Sequence, residues 1–217
     1  MTPRPVLWPP GEKPSAARQP NAKEPYANIG LDGVGAARRI LVAGPSGSGK
    51  TTLAARLAEI LDIPHTEIDA LFHGPGWEPR PSFESDVDAF MARGAWTTEW
   101  QYSQVRERLL DSADLVLWLN YPRWVVMPRV IKRTIRRSVT RQELWNGNVE
   151  PPLHRIFTDD EHIIRWAWNV IPRYREKLAV VRETQPDKPL IVFTRPRQLA
   201  RFIRQLESRL PASTGAP

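Results

Sequence analysis

Residues Gly44-Pro-Ser-Gly-Ser-Gly49-Lys50-Thr51 match the pattern G-x-x-x-x-G-K-[ST]. Each residue type has a task toward a triphosphate. The glycines remove side chains, so successive backbone N–H groups can face phosphate oxygens. A helix starting near Lys50 aims its positive end at the same anion. Lys50 reaches the outer phosphates, and the Thr51 hydroxyl suits Mg²⁺. Gly44, Pro45, Ser46, Gly47, Ser48, Gly49, Lys50, Thr51 and Thr52 are therefore the expected nucleotide contacts. The motif points to a nucleoside triphosphate. It does not choose among GTPases, helicases, transporters and small kinases, which share it.

Two carboxylates fall where they can act on such a ligand. Asp69 is expected at the end of a strand, the edge where open parallel sheets place ligands, and suits orienting or deprotonating an acceptor hydroxyl. A carboxylate there repels an acceptor phosphate beside it, which disfavours AMP. Glu99 is expected at the end of the neighbouring strand, where it can support Mg²⁺ or position the attacking group. From Tyr121 to Gln142 there are seven basic residues and no acid: Arg123, Arg129, Lys132, Arg133, Arg136, Arg137 and Arg141. Arg129, Arg133, Arg136 and Arg137 fall within one helical face. His73 and Trp77 follow Asp69 in a Gly/Pro loop and can wall an acceptor or simply pack. Trp145, Trp166 and Trp168 are at helical spacings that favour core packing over base stacking. His154 and His162 form no metal pattern with neighbouring carboxylates.

The elements that must carry these residues follow from the apolar pattern. Arg39-Ile-Leu-Val-Ala43 is a buried strand running into the glycine-rich turn. Leu53, Leu57, Ile60 and Leu61 make a helical stripe after it. His65-Thr-Glu-Ile-Asp69 is expected as a second strand. Ser82 caps a helix bearing Phe83, Val87, Phe90 and Met91, with Gly94 as its stop. Ala95 to Thr98 is a third strand, Ser103 to Leu110 a short helix, and Asp114 to Leu119 a fourth strand. A basic helix runs from about Arg123 to Val139. Thr158-x-x-Glu161 is a capping box opening a helix through Trp168, and Pro172 to Thr184 is a separate helix. Lys188 to Phe193 is a fifth strand, and Gln198 to Leu210 the last helix. Such alternation predicts an α/β fold: a five-stranded parallel sheet covered on both faces. Gly30-Leu-Asp-Gly33-Val-Gly35 precedes the first strand and does not follow it, so it is a linker and not a dinucleotide motif.

Composition bounds the rest. The chain has 217 residues and 22 prolines, about twice average usage. Pro3, Pro5, Pro9, Pro10, Pro14, Pro20 and Pro25 crowd a stretch without apolar periodicity. The expected organisation is a disordered Pro-rich tail and linker over 1–37, one domain over 38–210, and a disordered end over 211–217. No run approaches 18 apolar residues, so no membrane span is expected. The tail lacks the apolar block of a signal peptide, and a cytoplasmic location is expected. The absence of Cys excludes disulfides, thiolate zinc sites and a cysteine nucleophile. A net charge of +7 and a pI near 10.1 favour anionic partners: nucleotides, phosphorylated metabolites or nucleic acid.

The chain resembles the small-kinase branch of P-loop proteins, and within it the adenylate-kinase-like bacterial proteins labelled DNA topology modulation proteins. Five stretches carry the resemblance. They are Gly44 to Thr52; Ile63-Pro-His-Thr-Glu-Ile-Asp-Ala-Leu71 with Gly76-Trp77; Ala113 to Pro122; Arg133-Thr-Ile-Arg-Arg137 with Glu143-Leu-Trp-Asn-Gly147; and His162-Ile-Ile-Arg-Trp166. The resemblance implies a nucleoside/nucleotide-kinase-like fold with a basic helical lid, an ATP site, and lid arginines (Arg129, Arg133, Arg137) meeting the transferring phosphoryl group. It also places Arg195-Pro196 where small kinases hold adenine by backbone contacts. The chain departs from the family pattern at the third strand, which reads Trp96-Thr-Thr-Glu99-Trp-Gln-Tyr102 against Trp-x-x-Asp-Gly-Asn-Tyr. Asn120 replaces a common Asp, Pro128 interrupts the basic helix, and the AMP-binding elements of true adenylate kinases are missing.

Together these observations predict ATP- and Mg²⁺-dependent phosphoryl transfer to a small hydroxyl-bearing or nucleotide-like acceptor. Lys50, Asp69, Glu99, Arg133 and Arg137 are the expected catalytic set, with Thr51 and Glu99 at the metal. The alternative is a nucleotide-binding regulatory protein that contacts nucleic acid and hydrolyses weakly.

Overall fold

The computed structural model describes residues 29–150 and 163–210. The expected disordered segments over 1–28 and 211–217, the capping box at Thr158 and Glu161, and His154 and His162 lie outside them, as does the side chain of Trp166. Four strands form one parallel sheet: β1 (Arg39–Ala43), β2 (Trp96–Glu99), β3 (Leu115–Leu119) and β4 (Leu190–Phe193), in the order β2-β1-β3-β4. Among the described residues eight α-helices surround it: α1 (Gly30–Ala36), α2 (Lys50–Leu61), α3 (Ile68–Phe72), α4 (Phe83–Met91), α5 (Arg106–Ser112), α6 (Arg123–Thr140), α7 (Ile163–Thr184) and α8 (Pro196–Arg209).

Strand periodicity divides the core in two. Ile40 and Val42 of β1, Leu115, Leu117 and Leu119 of β3, and Ile191 and Phe193 of β4 point to one face, against α1, α2, α6 and α8. Leu41, Ala43, Val116, Trp118 and Val192 point to the other, against α3, α4, α5 and α7. Both faces are buried, so the strands read as continuous apolar runs. Among the described residues no helix is long and apolar enough to cross a membrane.

The sheet has four strands, not the expected five. The segment around His65 reaches the sheet only through a single bridge to Thr97. Thr97 N–H donates to Pro64 O (2.8 Å), Thr66 N–H to Thr97 O (3.0 Å), and Thr98 Oγ1 to Thr66 O (2.7 Å). Pairing then stops because the next free amide, Ile68 N–H, donates to the Glu99 carboxylate at 3.1 Å. That bond turns the chain into α3, so Asp69 lies in the first turn of a helix and not at a strand end.

Two other expectations fail for local reasons. Residues 30–36 are helix and not linker, because Val34 is fully buried in the core beneath α8. Pro172 lies inside α7 instead of opening a helix. A proline at that position leaves the carbonyl four residues earlier without its helical donor. The carbonyl is Trp168 O, and the Arg123 guanidinium donates to it at 3.1 Å while standing 4.5 Å from the Trp168 ring centre. Trp168 is half exposed and packs under that arginine, not in the core. Arg123→Ala is therefore expected to cost about 1 kcal/mol in a urea melt. Most of that loss should vanish in an Arg123→Ala/Pro172→Ala double variant, where the helix supplies its own donor. Additive losses would refute the compensation.

Candidate functional site

The loop between β1 and α2 is a compact turn held from within. Ser48 N–H donates to Pro45 O (3.1 Å), and Leu53 N–H to Gly49 O (3.0 Å) starts the helix. Gly47 has φ +76°, and a Cβ there would strike Val130 on α6. The basic helix is thereby seated directly on the loop. Gly44, Pro45 and Ser48 are buried, whereas Thr52 is exposed. The Ser48 hydroxyl is buried without a partner.

Lys50 is 7% exposed, and among the described residues its only hydrogen bond is to Pro45 O at 3.4 Å. Burial pushes its ammonium pKa down; Asp69 and Glu99 oppose this, and Arg133 adds to it. The lysine is thus a desolvated cation on which Asp69 and Glu99 act through space. Glu99 is 1% exposed. Burial pushes its carboxyl up, but the His65 ring, the Ile68 N–H and the Thr51 hydroxyl outweigh this and hold it below the usual range. His65 Nε2 lies 3.4 Å from Glu99 Oε1. Thr51 and Glu99 therefore meet.

Asp69 has one oxygen committed and one open. Its Oδ1 accepts from Tyr102 OH at 2.6 Å and Gln101 Nε2 at 2.9 Å, while Oδ2 has no hydrogen-bond partner among the described residues. The Tyr102 hydroxyl in turn lies 3.2 Å from His73 Nε2. That hydroxyl donates to Asp69, so its oxygen can accept from a protonated His73 Nε2. His73 Nδ1 is buried and unpartnered. Burial lowers the His73 pKa, and burial followed by the Asp69 charge raises that of Tyr102, so both stay neutral near pH 7.

The basic helix divides its expected roles. Arg133 Nη2 donates to Ser46 Oγ at 2.9 Å, and Arg129 Nη1 to Ser48 O at 3.5 Å, so both reach the loop. Arg137 instead pairs with Glu150 at 2.9 Å, and Arg136 is exposed. The four arginines thus do not act as one face. Arg195 caps α8 with both backbone groups: its N–H donates to Gln198 Oε1 (2.9 Å) and its carbonyl accepts from Gln198 N–H (3.0 Å). The helix cap takes its N–H, while its carbonyl keeps a second lone pair.

Several neighbours of the site were not singled out from the sequence: His65, Gln101, Tyr102, Asn146 and Asn148. Trp145 is half-buried and joins His73 and Trp77, with ring centres 5.7 and 6.3 Å away, so it belongs to the site wall and not to the core. Asn148 ties the segment after α6 to the Gly74–Trp77 turn, accepting from Trp77 N–H (2.9 Å) and donating to Gly74 O (2.8 Å); Asn146 donates to His73 O. In the sequence His65, Gln101, Tyr102 and Asn146 stand only as members of longer motifs, and Asn148 stands just beyond one.

Among the described residues no group of three or more His, Asp or Glu side chains converges on a metal site. A hydroxyl beside one carboxylate, next to a phosphate loop, still fits Mg²⁺, which is commonly held by one or two protein groups together with phosphates and water.

No family model matches the chain, and no curated protein matches it. Among solved structures the chain is similar to an unliganded sugar kinase from Janibacter sp. HTCC2649, at 22% identity and TM-score 0.44, covering 81% of this chain and 95% of that one. It is also similar to a shikimate kinase from Acinetobacter baumannii, at 15% identity and TM-score 0.48, covering 86% and 100%. A gluconokinase from Sinorhizobium meliloti 1021 has 18% identity and TM-score 0.41, covering 80% and 91%. None of the three is a DNA topology modulation protein, and that finer likeness is not shown.

Proposed function

We propose that the chain transfers the γ-phosphoryl group of ATP, with Mg²⁺, to the hydroxyl of a small acceptor. The observation that carries this reading is Asp69: two donors fix one carboxylate oxygen and leave the other open, in the electrostatic neighbourhood of Lys50. Backbone N–H groups of Ser46, Gly47 and Gly49–Thr51, with the Lys50 and Arg133 side chains, hold the phosphates. Thr51 and Glu99 would hold Mg²⁺, which when bound offsets phosphate charge. Asp69 Oδ2 accepts the acceptor's proton as its oxygen bonds to the γ-phosphorus; the bond from that phosphorus to the bridging oxygen breaks, and ADP leaves. Arg133 supplies fixed positive charge where negative charge shifts during transfer.

The test is ADP release in a screen of nucleosides, nucleotides and hydroxylated metabolites. Arg133→Ala is expected to lower turnover about a hundredfold with a much smaller loss of ATP affinity. Unchanged turnover in this variant, together with nucleic-acid binding whose log–log salt slope has shrunk, would overturn the kinase reading in favour of a nucleic-acid-binding regulator.

A further inference from the structure

The two turns that carry the aromatic wall are also tied to an arginine of the basic helix. The chain doubles back at Gly74–Trp77, with His73 bridged to Pro79, and again at Trp145–Gly147, with Glu143 bridged to Val149. Side chains pin the two turns together. Asn148 is buried, accepts from Trp77 N–H (2.9 Å), and donates to Gly74 O and Trp145 O (both 2.8 Å). The Trp77 indole N–H donates to Val149 O (3.3 Å), and Asn146 donates to His73 O. One residue further along, Glu150 Oε1 accepts from Arg137 Nη1 at 2.9 Å. Contacts therefore run unbroken from the reacting carboxylate to α6: Asp69 to Tyr102 (2.6 Å), Tyr102 to His73 (3.2 Å), one turn to the other, and Glu150 to Arg137.

The last contact in that succession is incomplete. The Arg137 and Glu150 side chains are only 20% and 9% exposed, yet a single hydrogen bond joins them where a guanidinium and a carboxylate can make two. Among the described residues Glu150 Oε2 is buried without a hydrogen-bond partner, and so is Arg133 Nε on the preceding turn of α6. Burying a charged pair without satisfying it stabilises little. Trp77 adds strain. Its φ is +63°, a left-handed conformation that bulky side chains rarely adopt, and its bonds to Asn148 and Val149 hold it there. The closed arrangement is poised to open.

A second place for Arg137 is close by. Arg133, one turn before it, already reaches Ser46 of the phosphate loop at 2.9 Å. Burial, then the Arg137 charge, lowers the Arg133 pKa, while Glu150 and Asp69 oppose this. We propose that Glu150 holds Arg137 in reserve, off the phosphates of ATP, until movement of the wall at His73, Trp77 and Trp145 opens the pair and delivers the arginine to the transferring group. The inference rests on the kinase reading, which makes that movement the entry of an acceptor. The reserve suppresses hydrolysis, in which the oxygen of water bonds to the γ-phosphorus, the bond to the bridging oxygen breaks, and ADP, phosphate and a proton leave. Water enters without moving the wall, and so meets an incomplete set of cations.

Arginine labelling on the full chain reads the latch without turnover or acceptor. The protein is treated with phenylglyoxal, and the rate at Arg137 is followed by peptide mass spectrometry. Arg137 is expected to react at least about tenfold faster in Glu150→Gln, as for loss of a charged hydrogen bond. ATP with Mg²⁺ should then protect it in Glu150→Gln and leave its rate in the unaltered chain nearly unchanged. Equal rates in the two proteins, or no protection in the variant, overturn the latch. If Glu150→Gln fails to fold, Glu150→Asp keeps the charge on a shorter stem and carries the same expectation. Loosening the turns, by Asn148→Ala or the milder Trp77→Phe, should also speed labelling of Arg137; an unchanged rate in both refutes the coupling. ADP release from ATP without acceptor should rise at least about tenfold in Glu150→Gln and return to its starting value when Arg137→Gln is added. No rise, or a rise that persists without Arg137, sinks the proposal. ATP protection and Arg137-dependent hydrolysis in Glu150→Gln, with no acceptor phosphorylated by any form, refute the kinase and keep the latch. Phosphorylation of small acceptors with equal Arg137 labelling rates keeps the kinase and refutes the latch.

Discussion

Lys50→Ala is expected to lower phosphoryl transfer by at least about a thousandfold while leaving the fold intact. The fall reflects loss of a cation fixed at the phosphates, in a site where burial makes each charge count for more than in water. Its effect on the empty protein should run the other way from most core substitutions. Lys50 is buried, holds one long hydrogen bond to Pro45 O, and makes no ion pair among the described residues. Removing it abolishes a desolvated charge, at the cost of a small void that Lys50→Met would fill. Lys50→Met should therefore match or exceed the unaltered protein in thermal stability, by about 1 kcal/mol. ATP with Mg²⁺ at a hundred times its Kd should add about 2.7 kcal/mol to the unaltered protein and almost nothing to the variant. Calorimetry with and without nucleotide measures both. A Lys50→Met protein that melts well below the unaltered one would show the lysine to be structural.

The phosphate loop was legible because it depends on local sequence alone: β1, the glycines, and a helix beginning at Lys50 occupy consecutive residues. The two sheet faces were legible for the same reason, since strand alternation sorts Ile40 from Leu41 without knowledge of partners. What escaped depends on contacts between distant segments. Nothing near Asp69 in the chain announces that Glu99, 31 residues beyond Ile68, captures the Ile68 amide and converts a strand into a helix. Pro172 marks a break in any local reading; only Arg123, from another helix, makes the continuous one affordable. Arg133 and Arg137 look equivalent one turn apart, and a single acid outside the helix, Glu150, takes one of them away. Trp145 has the spacing of a packing residue, yet the turn that carries it is drawn by Asn148 to the acceptor side. The site is thus legible where one element builds it and obscure where two must meet.

Asp69→Asn is expected to lower transfer between about a hundredfold and ten-thousandfold, the range for losing a positioned general base. The geometry sets the reason. Tyr102 and Gln101 both donate to Oδ1, so an asparagine keeps its carbonyl oxygen there and must turn its NH₂ toward the acceptor. The group facing the hydroxyl then donates where the reaction needs an acceptor of a proton. Size, packing and the two hydrogen bonds are retained, so the melting temperature should change little. ATP affinity should also hold within about threefold, because the Thr51–Glu99 edge and the loop amides are untouched. Tyr102→Phe serves as the graded companion: it removes one of the two donors, leaves the carboxylate, and should cost about tenfold through looser placement of Oδ2. Single-turnover measurements at saturating ATP, with Kd for ATP determined separately, distinguish the outcomes. If Asp69→Asn loses ATP affinity as steeply as it loses rate, Asp69 belongs with the metal and phosphates, and the acceptor-side assignment fails. If rate and affinity are both unchanged, the open oxygen has no part in the chemistry, and proton transfer must go directly to solvent or to the γ-phosphate itself.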